Sequence, residues 1–147
     1  MGFPRPQLSL KGRALRLLSQ REHSRTELER KLAAHEEEPG SLAQALDELQ
    51  ARGFISEERV VDSVIHRRAS KLGAARVQHE LAAKGLSPES MAEALEQLRV
   101  TEFERAREVW SRKFGAPATD PKERARQMRF LLSRGFASDV VRKVTHP

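Results

Sequence analysis

Cysteine and tyrosine are absent from this chain of 147 residues, and only one tryptophan and six phenylalanines supply aromatic rings. The absence of cysteine excludes a disulfide framework and every zinc site that needs thiolate ligands. No apolar run approaches the roughly 20 residues that a helix needs to cross a bilayer. Met1 to Gln7 also lacks the apolar core of a signal peptide, so the sequence predicts a soluble, cytoplasmic protein with no membrane partner.

Motifs that carry catalysis are also missing. The chain has no glycine-rich phosphate loop, no H-E-x-x-H sequence and no carboxylate-rich metal motif. Its five histidines do not have the spacing of metal ligands, and the acidic run at residues 36–38 is expected to be a solvated loop. We therefore expect a protein that is not an enzyme and that has no cofactor and no metal site. Turnover of a nucleotide or nucleic acid by the pure protein would favour the opposite interpretation.

Helical periodicity is abundant along the whole chain, whereas alternating strand patterns are absent. Leu10, Ala14, Leu17 and Leu18 recur at the spacing of one helix face, and similar sets follow at residues 42–49 and 91–98. Predicted caps at Ser24, Ser87, Thr101 and Asp120, and glycines at residues 53, 85, 115 and 135, divide the chain into nine predicted helices. These predicted helices are residues 8–21, 25–35, 41–52, 57–71, 74–84, 88–99, 102–114, 121–133 and 138–144.

An internal repeat groups the nine helices into threes. Leu32-Ala33-Ala34 recurs 49 residues later as Leu81-Ala82-Ala83, and Pro39 and Phe54 recur at the same offset as Pro88 and Phe103. A period of this length is typical of stacked helical units that bury their apolar faces against each other. The sequence thus predicts an all-α protein of three tandem three-helix repeats, at residues 8–55, 56–100 and 101–147, after a flexible tail at residues 1–7.

Charge is segregated along the chain and follows the repeat. The net charge is +6, and successive segments at residues 1–35, 36–62, 63–84, 85–104 and 105–147 carry +5, −6, +4, −4 and +7. In a solenoid such segregation predicts a basic stripe and an acidic stripe on different sides. A basic face that only keeps the protein soluble is the alternative, but segregation favours binding to a partner.

Basic side chains are therefore the candidate contact residues. Arginine pairs with phosphate or carboxylate groups in a fixed two-pronged geometry, which suits a polyanion or an acidic protein surface. The central repeat supplies five of the candidates and its neighbours supply four. The full candidate set is Arg67, Arg68, Lys71, Arg76, Lys84, Arg25, Arg112, Lys113 and Arg134.

Two kinds of nucleic-acid recognition are disfavoured by the residues. Phe54, Phe103, Trp110 and Phe136 fall at core or turn positions, so we expect them to pack in the core and not to form a stacking platform for single strands. Trp110 is expected to anchor the third repeat. A helix-turn-helix protein places its third helix in the major groove, and here that helix is acidic in the first two repeats. A sequence-specific or architectural DNA-binding protein built from helix-turn-helix-like units stays open as the alternative function.

The order and spacing of several motifs resemble the RecX family of regulatory proteins. The stretch at residues 14–28 looks like the opening motif of that family, and Lys84-Gly85-Leu86 and Leu131-Leu132-Ser133-Arg134-Gly135-Phe136 are similar to later ones. The resemblance covers residues 8–144. The chain departs from the family pattern after Ile55, where Ser56-Glu57-Glu58 and valines replace two aspartates and aromatic residues.

That resemblance implies both a shape and a function. It implies three tandem three-helix units in an elongated, curved, solenoid-like body. It also implies binding to the RecA recombinase filament on single-stranded DNA, which lowers the ATPase, strand-exchange and coprotease activities of RecA. The protein is expected to be a monomer. Weak, sequence-independent contact with DNA is the expected accompaniment, because long basic side chains reach phosphates.

Overall fold

The structure is a computed structural model, and it describes Gly2 and residues 7–146. The predicted tail at residues 1–7 lies largely outside this described part. Within the described residues the chain is all-α, with no strand and with a 3₁₀ turn at Ala33–His35. The nine helices are α1 Leu10–Gln20, α2 Arg25–Leu32, α3 Ser41–Ala51, α4 Glu57–Arg68, α5 Ala74–Ala83, α6 Pro88–Val100, α7 Glu102–Lys113, α8 Pro121–Ser133 and α9 Ser138–Thr145.

Every predicted helix is present, and the differences at the ends have local causes. α1 begins two residues later than predicted because Ser9 is its cap, and the Ser9 hydroxyl accepts a hydrogen bond from Gly12 N at 3.0 Å. α4 ends three residues earlier than predicted, where the chain turns and Leu72 N donates to Arg68 O at 2.9 Å.

Most of the predicted cap residues are confirmed, and one is wrong. Ser24 forms a complete capping box with Glu27. Ser87 and Asp120 each directly precede a proline, and their side chains accept hydrogen bonds from backbone N–H groups of the first helical turn. Thr101 makes no side-chain cap. Its hydroxyl donates to Leu98 O at 3.3 Å and accepts from Arg105 Nε at 3.1 Å, so it is already engaged.

The described chain forms two compact units, Met1–Val60 and Val61–Pro147. In the first unit α1, α2 and α3 pack against one another around a small apolar core. The predicted periodic faces of α1 and α3 supply much of that core. Its buried members are Ala14, Leu28, Leu32, Leu42, Leu46, Leu49 and Ile55.

A buried histidine ties the segment before α2 to the last turn of that helix in the first unit. His23 is 1% exposed, its Nδ1 lies 3.0 Å from Arg21 O, and its Nε2 lies 3.1 Å from Lys31 Nζ. An ammonium group has no lone pair to offer, so Lys31 donates to Nε2 and the neutral ring donates from Nδ1 to Arg21 O. Burial lowers the pKa of His23 below its ordinary value of 6.5.

The second unit contains the remaining buried helices. α5 packs against α6, while α7, α8 and α9 contact one another around Ala106, Leu131, Phe136, Val141 and Val144. Trp110 packs against this core, and its indole N–H donates to Gln127 Oε1 at 2.9 Å, as expected for a residue that anchors the third repeat. Further buried side chains are Val61, Val64, Ala74, Val77, Leu81, Leu86, Met91, Leu95 and Leu98.

The prediction that the phenylalanines pack in the core is confirmed for Phe136 and wrong for Phe54 and Phe103. Phe136 is 3% exposed, whereas Phe54 is 46% and Phe103 37% exposed. Phe54 follows α3 and Phe103 lies in the first turn of α7, so both rings sit at the ends of helices, where the neighbouring helices of their unit do not cover them.

Two glycine backbones approach each other closely inside the second unit. Gly73 N donates to Arg134 O at 2.8 Å, and a Cβ added at Gly73 would lie 2.5 Å from Phe136 N. Gly135 has a φ of +87°, and a Cβ added there would lie 2.7 Å from Arg76 N. Both positions therefore need glycine, because any side chain would separate the start of α5 from the end of α8.

Gly135→Ala should cost more stability than Gly115→Ala, although both residues have a positive φ and both lie in the second unit. The left-handed backbone costs an alanine roughly 1–2 kcal/mol at either position. Only Gly135 adds a clash, since the new Cβ at Gly115 would make ordinary contact with Ser111 O at 3.6 Å. We expect a further loss of about 1–3 kcal/mol for Gly135→Ala in urea unfolding. Equal losses for the two variants would contradict the close approach.

Stability of the first unit should fall as the pH decreases below about 6.5. Below that value His23 takes up a proton in the unfolded state, while the folded ring, with its lowered pKa, is protonated only at a lower pH. The folded state therefore becomes less stable relative to the unfolded state. Arg21 and Lys31 also repel the protonated ring, and Glu27 opposes them. His23→Gln should flatten the dependence of the urea midpoint on pH, and His35→Gln, at an exposed site, should leave it unchanged. An unaltered pH dependence in His23→Gln would count against this assignment.

Candidate partner-binding site

Six of the nine basic residues chosen from the sequence line one groove in the second unit. The groove has a volume of about 820 Å³. The residues that line it run from Arg68 to Arg134, 66 residues apart in sequence, and the fold of this unit brings them together. The six cationic residues are Arg68, Lys71, Arg76, Arg112, Lys113 and Arg134.

Regular helix spacing places the walls of the groove. Arg76, His79, Glu80 and Ala83 line it from α5 at the spacing i, i+3, i+4 and i+7, which is one face of a helix. Val109, Arg112 and Lys113 do the same from α7. The end of α4, the segment at residues 70–72 and the end of α8 complete the lining.

Positive charge dominates the rim of the groove. Six cations face one carboxylate, Glu80, whose Oε2 lies 3.4 Å from Arg68 Nε. Arg76 Nη1 donates to Ser133 O at 3.2 Å, which holds this guanidinium across the rim. A concave surface lined by one sign of charge focuses the field and attracts ligands of opposite charge.

The interior of the groove is apolar. Leu72, Val109 and Phe130 are half-buried and line it together with Ala83. The Phe130 ring meets the Phe114 ring edge-on at a centroid distance of 5.5 Å. Arg134 lies 4.8 Å and Lys113 5.4 Å from the centroid of Phe130, so this ring already carries two cation–π contacts.

Glu102, which was not among the residues predicted from the sequence, joins two helix starts in the second unit. Its side chain is buried at 4% exposure. Oε1 accepts from Ala74 N at 2.6 Å and Oε2 accepts from Ala137 N at 3.1 Å. One carboxylate therefore satisfies N–H groups at the beginnings of α5 and α9, which have no partner inside their own helices.

Arg105 is the second positioning residue that the sequence analysis missed. Nη1 donates to Ala69 O at 2.8 Å and to Leu72 O at 2.5 Å, and Nη2 donates to Leu98 O at 2.8 Å. Burial lowers the pKa of Arg105, and the charge of Glu102, 4.0 Å away, opposes that effect. Arg105 thus fixes the turn that carries Lys71 and Leu72 to the groove.

The three other candidate residues lie outside the groove. Arg67 is exposed on α4, and Lys84 is half-buried directly after α5. Arg25 belongs to the first unit, where its guanidinium contacts Asp47 Oδ1 at 2.7 Å and Ala43 O at 3.2 Å and so joins α2 to α3. The hydrogen bond with Asp47 raises the pKa of Arg25.

Searches for two other kinds of site gave negative results in the part of the chain that is described. Across residues 7–146 and Gly2, no group of three or more His, Asp or Glu side chains could hold a metal ion. The same residues contain no helix with the length and apolar character needed to span a membrane.

Comparisons with known proteins identify the same family in all three parts of the chain. Family models described as the first, second and third three-helix domains of RecX match residues 11–49, 56–95 and 101–145. A protein named "Regulatory protein RecX" from Leptothrix cholodnii is 60% identical over 98% of this chain and 92% of its own length. The protein of the same name from Ralstonia nicotianae is 46% identical over 98% of this chain and 91% of its own length.

Solved structures share the fold at low sequence identity. A crystal structure of regulatory protein RecX has a TM-score of 0.79 at 19% identity and covers 94% of this chain and 72% of its own. RecX from Lactobacillus salivarius has a TM-score of 0.74 at 17% identity and covers 92% of this chain and 91% of its own. The predicted arrangement of three tandem three-helix domains is confirmed.

Glu102→Gln should destabilise the second unit by about 1–3 kcal/mol, because one buried acceptor oxygen becomes an NH₂ group that faces a backbone N–H. Glu104→Gln is the matched control, since Glu104 is exposed on the same helix. Urea unfolding measures both variants. A Glu102→Gln protein as stable as the Glu104→Gln protein would show that the two hydrogen bonds contribute nothing to stability.

Proposed function

This chain belongs to the RecX family, and from that premise we propose that it is a negative regulator of the RecA recombinase. In this proposal the protein binds the RecA filament on single-stranded DNA and lowers its ATPase, strand-exchange and coprotease activities. It acts as a monomer in the cytoplasm and by occupancy of the filament, without catalysis of its own.

The observation that supports this function is the groove in the second unit. Six cationic side chains from α4, α5, α7, α8 and the connecting segment lie around one concave surface. Glu102 binds the start of α5, which carries Arg76, and Arg105 binds the turn that carries Lys71. A surface of this kind suits a partner that presents carboxylates or phosphates, as a protein filament on DNA does.

The charge of the third helices supports a filament partner over operator recognition. The side chains of Asp47 and Glu48 in α3 are 68% and 46% exposed, and the side chain of Glu96 in α6 is 75% exposed. Phosphates would repel a helix with such side chains in the major groove. Contact with DNA is therefore proposed to be weak and independent of sequence.

The contact residues and the domain bounds are part of the same proposal. The six groove cations are proposed as the principal contacts, with Arg67, Lys84 and Arg25 as further contacts outside the groove. The three repeats are proposed to span residues 8–55, 56–100 and 101–147.

Co-sedimentation with RecA tests the function directly. The full chain is mixed with RecA in the presence and absence of single-stranded DNA, and the ATPase rate of RecA is measured in the same samples. We expect the protein to sediment with the filament and the ATPase rate to fall. Recovery of the protein only in the supernatant, with an unchanged ATPase rate, would contradict the proposal. Binding to one duplex sequence in preference to others would favour a DNA-binding protein instead.

Reversing two groove charges should weaken binding to the filament. We expect Arg68→Glu together with Arg76→Glu to lower the affinity at least about tenfold, because both guanidinium groups line the groove. The control is Arg107→Glu together with Arg129→Glu, which changes the net charge equally at exposed positions of the same unit outside the groove. Inhibition of the RecA ATPase that survives in the first double variant, or falls equally in both, would show that the groove is not the contact surface.

A further inference from the structure

We propose that the groove of the second unit is a docking site for an acidic polypeptide segment that carries at least one large apolar side chain. The inference rests on the proposed function in that the groove is taken as a partner-binding surface. It goes further because it assigns the groove to a peptide and not to nucleic acid.

Charge complementarity is the first argument for an acidic occupant. Glu80 is the only carboxylate among the described residues that line the groove, and Arg68 neutralises it at 3.4 Å. Lys71, Arg112 and Lys113 are exposed at the rim, so three further charges face the opening. Carboxylates placed there form charge-assisted hydrogen bonds, which are stronger than bonds between neutral groups.

The apolar interior is the second argument, because a purely ionic ligand would leave its apolar side chains in contact with water. Leu72, Val109 and Phe130 line the interior and are only half-buried, so part of their apolar surface is available for a contact. Burial of a leucine or phenylalanine side chain against this surface would stabilise the complex through the hydrophobic effect. A volume of about 820 Å³ is large enough for a short peptide segment with such a side chain.

The surroundings of Phe130 argue against nucleic acid in the same groove. A single strand is bound without sequence preference by stacking its bases on open aromatic faces. Phe130 is the one phenylalanine, tyrosine or tryptophan in the described lining, and the cations of Arg134 and Lys113 and the edge contact with Phe114 already occupy its surroundings. An aliphatic or aromatic side chain needs only a van der Waals contact with the remaining apolar surface.

Selection from a random library of displayed peptides of about twelve residues tests the proposal on the full chain. We expect the selected peptides to combine aspartate or glutamate with a leucine, phenylalanine or other large apolar residue. Synthetic versions of the selected peptides are then titrated by fluorescence anisotropy. Replacement of the apolar residue by serine should weaken binding at least about tenfold, because the apolar contact is lost.

Three variants at the end of α5 link the peptides to the groove. Ala83 lines the groove and is exposed, whereas its neighbour Ala82 is exposed and does not line it. We expect Ala83→Glu to weaken the binding of the selected peptides at least about tenfold, because the new carboxylate repels theirs. Ala83→Lys should leave their affinity unchanged or raise it, and Ala82→Glu should change it by less than about twofold.

The outcomes separate a peptide groove from the other possibilities. No enrichment, enrichment of peptides without acids, or equal effects of Ala83→Glu and Ala82→Glu would overturn the proposal. A thymidine oligonucleotide that displaces the peptides, and whose binding is weakened by Ala83→Glu but not by Ala82→Glu, would identify the groove as a nucleic-acid site. That result would also overturn the proposal. If the peptide selection and titrations fail while the protein still sediments with RecA, this inference is refuted and the proposed function is retained.

Discussion

The close approach of two backbones, at Gly73 and Gly135, is the constraint on which the second unit depends. The hydrogen bond from Gly73 N to Arg134 O and the absence of a side chain at either glycine bring the start of α5 against the end of α8. Glu102 then accepts hydrogen bonds from the N–H groups at the starts of α5 and α9. Because these groups have no other helical partner, one buried carboxylate and two glycines determine how the helices of this unit meet.

The geometry of the candidate site follows from this junction. Arg76 and Arg134 lie on the two sides of the Gly73–Gly135 contact, so both guanidinium groups reach the same groove. Arg105 holds the turn at residues 69–72 by its carbonyl groups and places Lys71 at the rim. A surface built on a fixed junction is preorganised, and a partner then loses less free energy in ordering it. This property suits a regulator that acts by occupying its target.

Much of the fold was predictable because helices are encoded locally. Leu42, Leu46 and Leu49 have the spacing of one buried face, and Ser24 and Ser87 carry the signature of helix caps. The basic candidates were also predictable from segregated charge, and six of them share one groove. Glu102 and Arg105 were not predictable, since their partners lie about 30 residues away and an acid at a helix start resembles an ordinary cap. The exposure of Phe54 and Phe103 likewise depends on tertiary packing, which periodicity does not encode.

Amide hydrogen exchange in the full chain tests the junction most directly. Ala74 begins α5 and Ala137 precedes α9, and amides at such positions ordinarily exchange quickly because they lack helical partners. We expect both amides to be protected as strongly as the interior amide of Leu131 and to exchange with it in one cooperative opening. Fast exchange of Ala74 and Ala137 while Leu131 stays protected would show that the carboxylate of Glu102 does not hold the two helix starts.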